Sequence, residues 1–246
     1  MNVNPKDGAE MVNIPEGNFL MGDDDDDIIK RNNPRHTVNL PGYWMYKNLV
    51  SVAQYFKFCD ETGHTKPSAP GFNPGWQNKD HPIVGVSWDD AMAYCEWASK
   101  DGVKVTLPTV EQWEKAARGT DARKFPWGDV WDASKCHNSV GSPNSVSGTV
   151  SVGRYTDSPY GLSDMVGNVI QWCVEWNGYY GAARGCDCCS SIWRFRCSHD
   201  ASGPGGWIYC YGFRCAVLGP TTLQAMAKMA ALSKKSDRWM EPVWPD

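Results

Sequence analysis

The 246-residue chain has no stretch of about 18 consecutive apolar residues, the length a membrane-crossing helix needs. Its first residues, Met1-Asn-Val-Asn-Pro-Lys-Asp, lack the basic-then-apolar layout of a signal peptide. The composition thus predicts a soluble chain with no membrane-spanning segment; a leader already removed would instead place it at a cell surface or on a virion rather than in the cytoplasm. Charge of either sign is also scarce. Twenty-four Lys and Arg against 28 Asp and Glu give a net charge of −4, and no basic cluster interleaves with aromatics, which argues against nucleic acid as a partner. Only five His are present, none in a His-x-x-x-His pair, and no nucleophile-elbow motif supports Ser-His-Asp chemistry.

Phenylalanine is sparse at seven, whereas Trp numbers 13. An indole must find a partner for its N–H when buried, so part of this Trp complement belongs at half-buried or exposed positions. Apolar residues at 41% with 21% charged residues are enough to bury a core. Ten Cys exceed what a chain of this size needs as staples. Six of them, Cys186, Cys188, Cys189, Cys197, Cys210 and Cys215, fall in one 30-residue window.

Residues 11–22, apolar strand-formers broken by Pro15 and Gly17, predict a hairpin, and the Asp23 to Asp27 run predicts a solvated loop. His36-Thr-Val-Asn-Leu alternates as a strand does. Three helices follow from cap signals: one behind Ser51, one behind Ser87 with Trp88, Met92, Cys95 and Ala91 on a face, and one behind Thr109 with Gln112 at the capping-box position and Gly119 at its stop. From about 120 to 220, dense Gly, Pro, Ser and Asn predict loops pinned by aromatics in place of regular sheet. No linker or repeat divides the chain. A single domain over 1–220 is expected, with a helix-rich extension over 221–246 that docks on the body or on a partner.

Several motifs in order carry a family resemblance. They are Met11 to Gly22, His81-Pro-Ile-Val-Gly-Val-Ser-Trp-Asp-Asp-Ala, Leu107-Pro-Thr-Val-Glu-Gln-Trp-Glu, Phe125-Pro-Trp-Gly-Asp, Tyr160-Gly-Leu-Ser-Asp-Met-Val-Gly-Asn-Val-Ile-Gln-Trp, Arg184-Gly and Gly212-Phe-Arg-Cys-Ala. Together they resemble the formylglycine-generating-enzyme (sulfatase-modifying factor) domains over about residues 10–217. The resemblance implies an α+β fold: irregular, loop-rich and C-type-lectin-like, with a small twisted antiparallel sheet and two or three helices.

Oxidases of that family hold copper(I) with two Cys five residues apart, soft ligands for a soft ion. After Arg184-Gly185 the two positions fall at Ser190 and Phe195, so the copper pair is missing in this register. Cys186, Cys188 and Cys189 are too tightly packed for a zinc framework. Some members carry calcium near Asn168 with a Glu three residues on; here Gln171, a neutral and poorer ligand, stands there. No cofactor is expected, calcium being the one ion the resemblance leaves open.

Between Arg184-Gly185 and Gly212 the side chains follow no period. This window resembles that of the variable proteins of diversity-generating retroelements, whose lectin-like domains carry a segment diversified by adenine-directed mutagenesis of Asn-type codons. Such mutagenesis yields Cys, Ser, Ile, Asp, His, Gly, Tyr, Ala and Phe, nearly the set found here, and accounts for the excess Cys. The resemblance implies a non-catalytic, receptor-like surface for a protein or other macromolecular ligand over residues 186–211. Its expected contacts are Cys186, Asp187, Cys188, Cys189, Ser191, Ile192, Trp193, Phe195, Ser198, His199, Asp200, Ser202, Gly205, Gly206, Trp207, Ile208, Tyr209 and Cys210. Trp193, Phe195 and Tyr211 stand equally well in a core, whereas Trp207 and Tyr209 beside two glycines are expected outside. The alternative is a copper-dependent thiol oxidase, and a third possibility is an interaction module docked through its tail.

Overall fold

The computed structural model describes residues 3–24, 34–100, 103–139, 148–156, 158–176, 181–203 and 208–218. The anticipated helix after Pro220, Asp25 to Asp27, Gly205, Gly206 and Trp207 lie outside the described residues.

The three expected helices form: α1 (Val52–Thr62), α2 (Trp88–Ala98) and α3 (Val110–Arg118). Each begins with a reciprocal capping box, Ser51 with Gln54, Ser87 with Asp90 and Thr109 with Gln112, which satisfies two otherwise unpaired N–H groups per helix. On α2 the buried stripe is Ala91, Tyr94, Cys95 and Ala98. Trp88 and Met92, expected on one face with Cys95 and Ala91, are only half-buried, because the stripe is rotated toward Tyr94.

The opening segment corrects the hairpin expectation. Strands β1 (Met11–Ile14) and β2 (Gly17–Met21) do not pair with each other. Strand β2 pairs antiparallel with β3 (His36–Leu40), while β1 pairs antiparallel with β4 (Tyr43–Tyr46). Pro15-Glu16 is a corner where the chain changes sheets, not a turn folding it back. The main sheet runs β1-β4-β9-β5, all antiparallel, with β5 (Lys104–Thr106) and β9 (Ala216–Leu218).

Sheet also appears where loops were expected. β6 (Ile170–Trp176) pairs antiparallel with β7 (Gly181–Arg184) and parallel with the two-residue β8 (Tyr211–Gly212). The Val-Ile-Gln-Trp-Cys-Val-Glu-Trp run is therefore the longest described strand, buried at Gln171, Trp172 and Cys173. Antiparallel pairing of its ends with a short return segment supplies the hydrogen bonds that a Gly-rich neighbourhood conceals in the sequence.

Two apolar clusters form the core. One joins α1, α2 and the main sheet through the ring contacts of Tyr55, Phe58, Tyr94 and Phe213. The other joins α3, β4 and the loops through Trp113, Phe125, Leu162, Phe195 and Cys197. Arg214 is fully buried between them and uses all five N–H groups. It donates to Gln171 Oε1 (2.7 Å), Tyr46 O (3.3 Å), Lys47 O (3.1 Å), Ser163 O (2.7 Å) and Asp164 O (3.0 Å). Burial lowers its pKa to about 10.

The Asp run corrects in part. Asp23 is buried and faces Arg196 Nη1 at 3.5 Å, so its carboxylate serves a cation in place of water; Asp24 remains exposed. Beside it Glu114, fully buried, accepts from Arg118 Nη1 (2.6 Å) and Gly22 N (2.7 Å), with Arg184 Nη2 3.9 Å from its other oxygen. One carboxylate thus faces two guanidinium groups in a dry site and offsets part of their charge. Glu114→Gln keeps the shape and removes the charge, leaving buried cations uncompensated; we expect it to lower unfolding free energy by about 3 kcal/mol in urea titrations, and an unchanged midpoint would refute that role.

Candidate functional site

The window after Gly185 divides between core and exterior. Gly185 itself needs φ +74°, and a Cβ there would lie 3.1 Å from Met165 O, so the chain enters the window by a route only glycine takes comfortably. Cys186, Cys188, Ser190, Phe195 and Cys197 are buried. Of the expected surface contacts, Cys186, Cys188 and Phe195 therefore do not belong to a surface. Phe195 is placed inside by the 3₁₀ turn Ile192–Phe195, which seats its ring 5.0 Å from Trp131. Cys186 sits against Gly167 and Cys136, and burial drives its thiol pKa far up.

Asp187, Trp193, Ser198, His199, Ser202 and Cys210 are half-buried, and Cys189, Ser191, Ile192, Asp200 and Tyr209 are exposed. Ile192 and Tyr209 are large apolar groups at 40% and 47% exposure. Ile208 lies in a short 3₁₀ turn with Tyr209 and Cys210. The exposed positions are held by backbone anchored elsewhere. Ala201 N donates to Ala183 O (3.0 Å), Cys197 N to Lys124 O (2.8 Å) and Arg184 Nη1 to Ser198 O (3.1 Å). Asp187 Oδ1 accepts from Ser190 Oγ (2.7 Å) and Cys189 N (3.2 Å), closing a local turn. Trp193 packs edge-on against His199 at 5.1 Å under the Arg194 guanidinium at 4.9 Å. Tyr211 belongs to the core, stacked on Trp172 at 4.4 Å, whereas the ring of Tyr209 lies over Gly85, 3.4 Å from where a Cβ would stand.

The two positions that the resemblance assigns to copper ligands hold Ser190 and Phe195, a hydroxyl tied to Asp187 and a buried phenyl ring, neither a ligand for copper(I). Cys210 and Cys215 do stand five residues apart, the spacing a copper pair requires. Their surroundings differ: Cys215 Sγ faces Cys95 Sγ at 3.7 Å in the core, while Cys210 lies beside Asp187. The residues present do not fit the ion. Calcium fits no better at Gln171, whose Nε2 donates to Asp164 O (3.1 Å) and Met165 O (2.9 Å) and whose Oε1 accepts from Trp113 and Arg214. Asn168 brackets Val150, accepting from its N–H (3.1 Å) and donating to its carbonyl (3.2 Å). The Arg214 guanidinium, a cation already, takes the Gln171 oxygen that a calcium ion would need.

The sequence carried little signal for the footing of the window, residues 148–150. His137 Nε2 meets Gly148 O at 3.0 Å, and His81 Nδ1 meets the Thr149 hydroxyl at 2.9 Å; His36 Nδ1 bonds backbone, at Pro34 O (2.8 Å). Cys188 O accepts from Ser139 N (2.7 Å), and its thiol meets the Gly148 backbone. Gly167, at φ +80°, lets His137 O approach to 2.4 Å of a would-be Cβ.

With this geometry in view, the comparisons assign the class. The small sheets and three capped helices are those of the lectin-like frame shared by formylglycine-generating domains, and the family model of the sulfatase-modifying factor enzyme 1-like domain matches residues 1–218. The chain belongs to that family. It is 29% identical to the formylglycine-generating enzyme of Thermomonospora curvata over 68% of this chain and 71% of that protein. It is 27% identical to the Mus musculus formylglycine-generating enzyme over 89% and 73%. Among solved structures, PvdO from Pseudomonas aeruginosa superposes with TM-score 0.73 at 25% identity over 87% of this chain and 96% of that one. Treponema denticola variable protein 1 superposes with TM-score 0.70 at 23% identity over 85% and 94%. Relatives thus include both named enzymes and a variable protein on one fold.

Burial lowers the pKa of both His81 and His137; Asp80 opposes this at His81, and Arg154 adds to it at His137. An unfolded histidine protonates near pH 6.5. Because the folded pKa lies lower, the stability from these two rings is complete above about pH 6.5 and is lost as pH falls below it. Asp164 and Glu175, raised by burial, act with opposite sign. We therefore expect the decline in urea midpoint from pH 7 to pH 5 to be shallower in His81→Asn than in the wild type; parallel profiles would remove His81 from this account.

Proposed function

We propose that the chain is a non-catalytic, ligand-binding domain that displays a diversified surface for a protein or other macromolecule. The observation that carries this reading is the partition of the window. Asp187, Cys189, Ser191, Ile192, Asp200 and Tyr209 project from backbone whose hydrogen bonds and buried neighbours, Cys186, Phe195, Cys197 and Tyr211, lie in the frame. Side chains mounted in this way can be exchanged without unfolding the support, which is what diversification demands. Trp193 and Tyr209 offer large contact area with few torsions to freeze, as aromatic residues do in antibody loops. A variable protein of Treponema denticola uses the same fold, so the frame is compatible with this use. Among the positions the frame displays, none repeats a packing pattern.

The second reading, a copper-dependent oxidase, is favoured by the named relatives and opposed by Ser190 and Phe195 at the ligand positions. Function remains a property of the site and not of the fold.

Replacing Ser191, Ile192, Asp200 and Tyr209, all exposed, together with other polar or aromatic residues should leave the melting temperature within about 4 °C, a shift of roughly 1 kcal/mol for a chain of this size. Phe195→Ala should instead cost about 3–5 kcal/mol. Collapse of the quadruple variant would end the display reading. Incubation of copper(I)-loaded chain with a Cys-containing peptide separates the rival: no formylglycine is expected, and its appearance at catalytic turnover would establish the oxidase instead.

A further inference from the structure

The window contains thiols whose chemistry neither reading uses. Cys188 and Cys189 are sequence neighbours whose Sγ atoms lie 3.4 Å apart. Cys189 is the exposed member of the ten cysteines; eight others are buried, and Cys210 is half-buried. Asp187 stands beside them, accepting from the Cys189 N–H, and its carboxylate also faces the Cys210 thiol. Among the described residues no three His, Cys, Asp or Glu side chains are arranged to hold a metal ion.

We propose that Cys189 is a capture site for a ligand that carries an accessible disulfide, held as a persistent mixed disulfide on the displayed surface. The Cys189 thiolate attacks one sulfur of the ligand disulfide. A Cys189–ligand S–S bond forms, the ligand's own S–S bond breaks, and the departing thiolate takes a proton from water. No external oxidant is required, since the ligand disulfide is the electron acceptor.

What happens next depends on Cys188. Its sulfur is close enough to attack Cys189 Sγ and expel the captured group, which would close a Cys188–Cys189 disulfide and leave the ligand fully reduced. That second exchange needs the Cys188 thiolate. Burial first, then the hydrogen bond with Cys189 and the charge of Asp187, push the Cys188 thiol up to about 12, and the backbone N–H of Gly148 only partly offsets them. Near neutral pH Cys188 therefore keeps its proton and the release step is slow, while Cys189 remains open to solvent. Adjacent residues also cannot adopt relaxed disulfide geometry without backbone adjustment, a second brake on closure. Cys210, raised to about 12 by burial and by Asp187, is no faster a resolving group. The cluster is built to capture and not to turn over.

This inference rests on the ligand-display reading and deepens it, and its failure is distinguishable from failure of that reading: a surface lacking the adduct chemistry could still be diversified. The test uses the full chain, reduced and desalted, with glutathione disulfide as the probe. At pH 7.5 intact-mass analysis should find one glutathione per chain, and peptide mapping should place it on Cys189. Cys189→Ser should reduce the adduct at least about tenfold, since the remaining thiols are buried or held protonated, with an unchanged melting temperature because the side chain is exposed. Cys188→Ser should capture as the wild type does at pH 7.5. At pH 9.5 the wild type should lose adduct to an internal disulfide two hydrogens lighter than the reduced chain, while Cys188→Ser retains it. The proposal fails if the folded chain takes up no glutathione at Cys189, if the label spreads over buried cysteines at equal rates, or if the internal disulfide replaces the adduct at pH 7.5.

Discussion

A single buried guanidinium holds the molecule in register. Arg214 has no solvent to fall back on, so every one of its donors must be met inside, and the five acceptors come from the end of β4, from β6 and from the 163–164 loop. Gln171 completes the hub: its oxygen takes both Arg214 and the Trp113 indole, and its nitrogen closes the 164–165 carbonyls. An unmet donor at this depth costs one to three kcal/mol or more for a charged group, so the loop, the sheet and α3 are bound to one another's positions. The same neutral amide accepts from the arginine and from the indole without adding a buried charge.

The consequences reach the displayed window. Gln171 is paired across the sheet with Arg184, the residue that opens the window, and Ile170 is paired with Tyr211, which closes it. Both ends of the segment are therefore fixed to β6, and the stretch between them crosses the second core cluster only where Cys186, Phe195 and Cys197 dip into it. The dry Glu114–Arg118–Arg184 group and the half-buried Asp23–Arg196 pair form a second electrostatic seam beneath the same stretch. A surface supported at so many independent points can change its exposed side chains with little effect on the fold, because interior packing and not surface chemistry sets stability.

Cysteine usage follows from the same division. Cys95 and Cys215 face each other in the first core cluster, and Cys173, Cys186 and Cys197 are surrounded by apolar or hydrogen-bonded neighbours that drive their thiols upward. They pack as small apolar groups. Cys189, exposed, and Cys210, half-buried, lie instead with the buried Cys188 next to the Asp187 carboxylate.

Local signals were enough for the parts of this protein that are governed locally. The capping boxes at Ser51, Ser87 and Thr109 set the helix starts, the alternation of His36 to Leu40 set a strand, and the ordered motifs from Met11 to Ala216 set the family and fold class. The aperiodic window was equally visible, since lack of pattern is itself a sequence property. Partner choice between strands was not: β1 and β2 look like a hairpin because two apolar runs flank Pro15, yet each pairs with a strand more distant in sequence. Nor could the sequence say which window residues face inward. With no period to follow, Cys188 and Cys189 are equivalent on paper, and only the turn closed by Asp187 and the contact with Gly148 bury one and expose the other. Long-range hydrogen bonding to the frame made that decision, because in an aperiodic segment the side-chain direction at each residue is set by what the backbone must satisfy.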